Sequence, residues 1–246
     1  MKYLVYCIFS RNEAAGINAA PIGVGGGRPY VIGKNELGAL VSAIPDGEMP
    51  KDFATILTYH KVIESFHNQF GVIPLRFGMQ VDEEAEIKHL LVTQGQRFKL
   101  LLTKLDGCVE IGIRAILNEL SVAQDSRNGS SVQSSANRTG TGAAYLANLK
   151  ARHDAEAQST ENYKKIIGRY RSFFEGLFVG FKEESSKSTP FSAESKAILL
   201  SLHFLVRRHS VEAFREAFDQ LKSRETAKLL LSGPWPPYNF VLPDDY

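Results

Sequence analysis

Cysteine is scarce in this 246-residue chain. Cys7 and Cys108 are the only two, far apart, and neither belongs to a CxxC or Cys/His grouping. A disulfide framework or a metal site has no support, and both residues read as small members of a core. An excess of one charge sign is missing as well. Lys plus Arg number 29 against 27 Asp plus Glu, a net charge of +2, so the overall electrostatics carry no nucleic-acid footprint. No apolar run reaches the roughly 18 residues that cross a bilayer. The N-terminal run Tyr3–Phe9 is too short for a signal peptide and lacks a small-residue cleavage site, so it reads as a strand. The expectation is a cytoplasmic, soluble protein with neither nucleic acid nor membrane among its partners.

Recognisable chemistry is equally sparse. Four glycines between Pro21 and Pro29 (Gly23, Gly25, Gly26, Gly27) suggest an anion cradle, but no Gly-Lys-Ser/Thr follows and no helix opens there. A loop between strands is the expectation. The six histidines stand at 60, 67, 89, 153, 203 and 209. His60 and His67 share a helix face without the further ligands a metal needs. A nucleophile elbow and a kinase-type loop are lacking, and Ser192-Ala193-Glu194-Ser195-Lys196 reads as a turn before a strand. No catalytic residue, metal or cofactor is expected.

What is present is a well-patterned α+β chain, 43% apolar and long enough to bury a sizeable core. Strands are expected at Tyr3–Phe9, Tyr30–Ile32 and Leu37–Ile44. Phe53, Ile56, Leu57, His60, Ile63 and Phe66 form the stripe of an amphipathic helix over Asp52–Phe70. Val72–Gly78 reads as a short strand that Pro74 confines to a sheet edge or a strand end. Asp82–Val92 reads as a helix with an acidic start.

In the second half, Cys108–Arg114 alternates as a strand with one polar face. Gln124–Thr141, rich in Ser, Asn, Gly and Thr, reads as a loop. A helix of nearly 40 residues is expected over Gly142–Phe181, its first half projecting because about 60 Å exceeds what a compact domain needs. After the turn Lys187–Pro190 come a strand at Ile198–Val206, a helix at Val211–Lys222 capped by Ser210, and a strand at Ala227–Leu231. That is the βαββαβ order of a ferredoxin-like fold.

Two features invite a functional reading. Arg76, in Pro74-Leu75-Arg76-Phe77-Gly78, sits between large apolar residues. A buried arginine needs a partner, since an unpaired one costs several kcal/mol. Glu110 is a candidate, either as an ion pair linking the two halves or as part of a ligand site. The second feature is Leu231-Ser232-Gly233-Pro234-Trp235-Pro236-Pro237-Tyr238-Asn239-Phe240-Val241. Its three prolines lack backbone donors and hold it near polyproline geometry, so it leaves the preceding strand. Trp235, Pro236, Pro237, Tyr238 and Phe240 then offer preorganised surface to a partner, or fold back as an intramolecular clamp.

In order and spacing, Pro74–Gly78, Val109-Glu110-Ile111-Gly112-Ile113 and Gly233–Val241 resemble the gas vesicle protein GvpF/GvpL family. Tyr3-Leu4-Val5-Tyr6 and the segment His60–Glu64 agree with it. The resemblance spans nearly the whole chain. It implies an N-terminal α+β domain (1–105), a ferredoxin-like C-terminal domain (106–232) and an extended tail (233–246). It also implies a role in gas vesicle formation, with the shell protein GvpA and other gas vesicle accessory proteins as partners, and it supplies no catalytic residue. On fold analogy alone, the alternative is a small-molecule-sensing regulatory module.

Overall fold

The computed structural model describes residues 2–12, 21–45, 49–117, 141–184 and 198–241. The expected loop at 124–141, apart from its last residue, and the turns at 187–190 and 192–196 lie outside them. The chain divides into two compact units. The first comprises Met1–Gly112, His203–Val211 and Ser232–Tyr246, and the second Ile113–Leu202 and Glu212–Leu231.

The first unit is built on β1 (Lys2–Ser10), whose residues Leu4 to Phe9 are all fully buried. A strand covered on both faces reads as a continuous apolar run, and this one does. β2 (Tyr30–Lys34), β3 (Leu37–Ile44) and β4 (Val72–Pro74) complete the order β2-β3-β1-β4, with β5 (Gln80–Val81) also pairing with β1. β1 is antiparallel to β3, with a register shift between Val5 and Cys7. The shift places Tyr6 and Cys7 in the same cluster, with Leu4 and Phe9, while Val5 and Ile8 join the opposite one. β4 lies at the sheet edge, where Pro74 is tolerated.

Helix α1 (Phe53–His67) starts at Asp52, whose carboxylate accepts from Thr55 N at 2.8 Å. It buries Tyr59, Val62, Ile63 and Phe66 against Leu4, Tyr6 and Phe9. The predicted buried stripe is corrected in its first half: Phe53, Ile56 and Leu57 are 79%, 42% and 38% exposed. The opposite cluster is covered by α2 (Glu84–Thr93) and α3 (Gly95–Leu105), which bury Ile87, Leu91, Phe98 and Leu105.

The glycine-rich loop is a structural wrap. Val24 N donates to the Tyr6 hydroxyl at 3.0 Å, and Ser42 Oγ lies 2.8 Å from the same oxygen. A Cβ on Gly23 would stand 2.4 Å from that hydroxyl, so only glycine permits the approach.

The second sheet has the order β7-β8-β6-β9, from β6 (Cys108–Leu117), β7 (Gly180–Glu184), β8 (Ile198–Arg207) and β9 (Lys228–Trp235). With α4 (Thr141–Phe173) after β6 and α5 (Val211–Arg224) after β8, this is the ferredoxin-like arrangement. β6 departs from the expected polar face: Glu110 is only 4% exposed, and Arg114 alone of the expected pair faces solvent. α4 stops eight residues before the expected Phe181. Gly176, at φ +83°, follows the last turn and supplies the left-handed conformation that ends helices. In the second unit Phe174 stacks on Phe214 with ring centroids 4.3 Å apart, and Arg169 pairs with Glu225 at 2.9 Å.

Candidate functional site: the C-terminal seam

All residues of this site belong to the first unit. β9 continues four residues beyond its expected end at Leu231, because it is an edge strand and an edge tolerates the missing N–H of Pro234. Gly233 has φ +105°, the Gly233–Pro234 bond is cis, and a Cβ at Gly233 would lie 2.6 Å from the Glu110 carbonyl oxygen. The tail thus passes β6 at a distance that only glycine allows.

Two β6 positions face this crossing. Ser232 Oγ donates to Gly112 O at 3.4 Å, and the Glu110 side chain, 6% exposed, meets three donors. Asn239 N donates to its Oε2 at 2.9 Å, Asn239 Nδ2 to its Oε1 at 2.6 Å, and His203 Nδ1 lies 3.0 Å from Oε1. An acceptor-only carboxylate facing Nδ1 makes that nitrogen the protonated one. Three strands of sequence, at 110, 203 and 239, are tied at one point. His203 Nε2 is shut off from solvent, and the Glu110 contacts orient the tail.

Beyond Glu110 the tail folds into the first unit. Pro236 and Pro237 are buried, and Phe240, 2% exposed, joins the cluster of Val5, Ile8 and Phe98. The Tyr238 hydroxyl lies 3.1 Å from His60 Nδ1. Burial pushes the Tyr238 phenol up and the His60 imidazole down, so the contact joins two neutral groups near pH 7. The Trp235 ring meets the His60 ring edge-on at 5.2 Å and stays 41% exposed.

Of the tail residues singled out in the sequence, Pro236, Pro237, Tyr238 and Phe240 are turned inward and Trp235 alone is well exposed. The expected Arg76–Glu110 pair is corrected. Arg76 is exposed on the turn after β4, where its carbonyl accepts from Met79 N at 3.3 Å. Glu110 instead uses His203 and Asn239, which sequence reasoning missed. A lone histidine inside the apolar run Leu199–Val206 was the available signal.

Elsewhere, Tyr59 Oη donates to Val5 O at 2.8 Å and also lies within 3.4 Å of the carbonyls of Tyr6, Leu75 and Arg76. It closes the break where β1 shifts register and β4 ends. His67 is 4% exposed with neither ring nitrogen hydrogen-bonded, and Arg208 donates to its carbonyl. Burial, then the Arg208 charge, holds its pKa at about 3. A cleft of about 510 Å³ lined by Met79, Val81, Ala85, Glu86, His89 and Leu90 is mostly apolar. Its carboxylate is engaged: Glu86 accepts from Asp82 N and Glu83 N, each at 3.0 Å. Among the described residues no group of three or more His, Cys, Asp or Glu is placed to hold a metal ion, and no helix is long and apolar enough to cross a membrane.

The chain is similar to solved structures of two gas vesicle proteins. GvpF from Anabaena sp. PCC7120 superposes with a TM-score of 0.73 at 17% identity, over 100% of this chain and 98% of that one. GvpF from Microcystis aeruginosa gives 0.73 at 16%, over 98% and 99%. These likenesses establish the fold. In sequence, it is 23% identical to gas vesicle protein F2 of Halobacterium salinarum over 240 residues, 96% of this chain and 90% of that protein. It is 26% identical to gas vesicle protein F of a Streptomyces species over 220 residues, 86% and 87% of the two chains. The family model described as gas vesicle synthesis protein GvpL/GvpF matches residues 2–242, from β1 through the tail that closes on Glu110, and the chain therefore belongs to the GvpL/GvpF family.

Proposed function

We propose that this protein acts in gas vesicle formation in the cytoplasm by binding the shell protein GvpA and other gas vesicle accessory proteins, as an assembly factor or minor structural component and not as an enzyme. The observation that carries the reading is the family match across residues 2–242, which takes in both sheets and the tail. The chemistry of the seam supports it. The Glu110 carboxylate is taken up by Asn239 and His203, and the Tyr238 hydroxyl by His60 Nδ1, an arrangement suited to fixing a surface. Trp235 is the tail residue offered outward to the partner, while Glu110 is the structural tie beneath it.

Deletion of the gene from a vesicle-forming host tests the role. Loss of vesicles, restored by the intact gene, is expected. Normal vesicle number and shape in the deletion strain would contradict it.

A further inference from the structure

α1 ends at His67, and the residues that close it meet a distant part of the chain. Asn68 N donates to Glu64 O at 2.9 Å, and Gln69 N and Phe70 N both donate to Phe66 O, at 2.9 and 3.2 Å. The His67 carbonyl accepts from the Arg208 guanidinium, which the short 3-10 helix Arg208–Ser210 carries directly after β8. Arg208 N in turn donates to Gly107 O at 2.9 Å. One residue thus clasps the end of α1 to the turn between α3 and β6.

The His67 side chain is the weak point of that clasp. The residue is 4% exposed, and among the described residues neither nitrogen of its ring has a hydrogen-bond partner. A neutral imidazole tolerates such a site poorly and a charged one far worse, because a buried cation loses its hydration and finds no acceptor. The neighbouring charges do not relieve it. From the 3-10 helix the Arg208 cation acts on the ring. The α3–β6 turn brings Cys108, a thiol that burial pushes up, with Arg207, Asp106 and Arg208 acting on it. On α1 itself the Glu64 charge acts on His60. A helix C-terminus favours a cation, but that effect is small beside the loss of hydration.

We infer that His67 and Arg208 form an acid-sensitive clasp: a proton taken up by His67 drives its ring out to water, Arg208 releases the His67 carbonyl, and the last turn of α1 opens while the sheet beneath stays folded. Opening a helix end and a three-residue helix breaks few contacts, so it lies below global unfolding in free energy. Tyr59, Val62 and Ile63 keep the rest of α1 in the core. A ring with a pKa of about 3 when enclosed and near 6.5 in water makes the open form about 30-fold more populated, relative to the closed one, at pH 5 than at pH 7.5.

The test is amide exchange, followed by NMR in the full-length chain and in His67→Leu, at pH 7.5 and pH 5 and in low concentrations of denaturant. In the wild type the amides of Asn68, Gln69, Phe70 and Arg208 are expected to lose about 30-fold in protection at pH 5, after correction for the intrinsic pH dependence of exchange. Denaturant barely affects that opening, whereas the Val5 amide in β1 exchanges only through denaturant-sensitive unfolding. In His67→Leu the acid-induced loss is absent. Constant protection in the wild type overturns the clasp, as does an equal loss in His67→Leu. A loss as denaturant-sensitive as that of Val5 makes the event global unfolding and overturns it too. The wild type alone supplies the first and last of these outcomes, so a variant that fails to fold leaves the test intact.

Discussion

Glu110 holds three donors from two distant segments, so its replacement strands all of them at once. Glu110→Ala is expected to cost about 1–3 kcal/mol or more in chemical denaturation, the range for buried polar groups left unsatisfied. Tyr59→Phe removes only the hydroxyl that donates to Val5 O, and about 1–2 kcal/mol is expected from the same measurement. His67 makes stability depend on pH. Its folded pKa of about 3 lies below the ordinary value near 6.5. Between those values the unfolded chain binds the proton and the folded one does not. The contribution is complete above pH 6.5 and is lost as pH falls toward 3, by about 2 kcal/mol at pH 5. His60 is also held low and adds in the same direction, so the difference between wild type and His67→Leu isolates the term. The sequence marked Glu110 as unusual, because a lone acid in an apolar strand must be paired. It pointed to the wrong partner because an arginine in a conspicuous motif is easier to see than a histidine 93 residues away and an asparagine 129 residues away.

Among the elements, β1 was readable in the sequence because burial on both faces leaves a continuous apolar run, and β8 because its run is long. The helical period locates α1 but does not identify its outer face. Periodicity counts apolar residues and does not say which of two rows meets the core, and Phe53, Ile56 and Leu57 belong to the row that does not. α3 carries Phe98, Leu101, Leu102 and Leu105 at i, i+3, i+4, i+7 spacing. α4 was extended too far because Phe178 and Phe181 prolong the aromatic rhythm past Gly176, the residue that ends it. Two glycines carry predictions at this scale. Gly233→Ala combines a strained φ of +105° with a clash against the Glu110 carbonyl. It is expected to destabilise by about 2–3 kcal/mol, read as a lower melting temperature. Gly23→Ala, pressed against the Tyr6 hydroxyl, is expected to cost about 1–3 kcal/mol.

At the scale of the whole molecule, the order of elements after Gly107 was enough to anticipate the ferredoxin-like sheet, since few topologies satisfy βαββαβ. The compact units are less legible. The first takes in residues from three separate stretches of chain, and a pattern read along the sequence does not show that His203 and Asn239 return to Glu110. The tail residues Pro236, Pro237 and Phe240 looked suited to a partner because they are apolar and preorganised. The same properties make them good material for the protein's own core, where they lie. Of these tail residues it is Trp235 that stays outward, beside the Glu110–His203–Asn239 tie. Under the proposed function, this family member works by binding the vesicle shell protein. The most direct measurement is co-purification of the shell protein with the tagged full-length chain from a vesicle-forming host. Retention of the shell protein through washing, absent with the tag alone, is predicted; a chain recovered without it at every stage of vesicle growth would contradict the account.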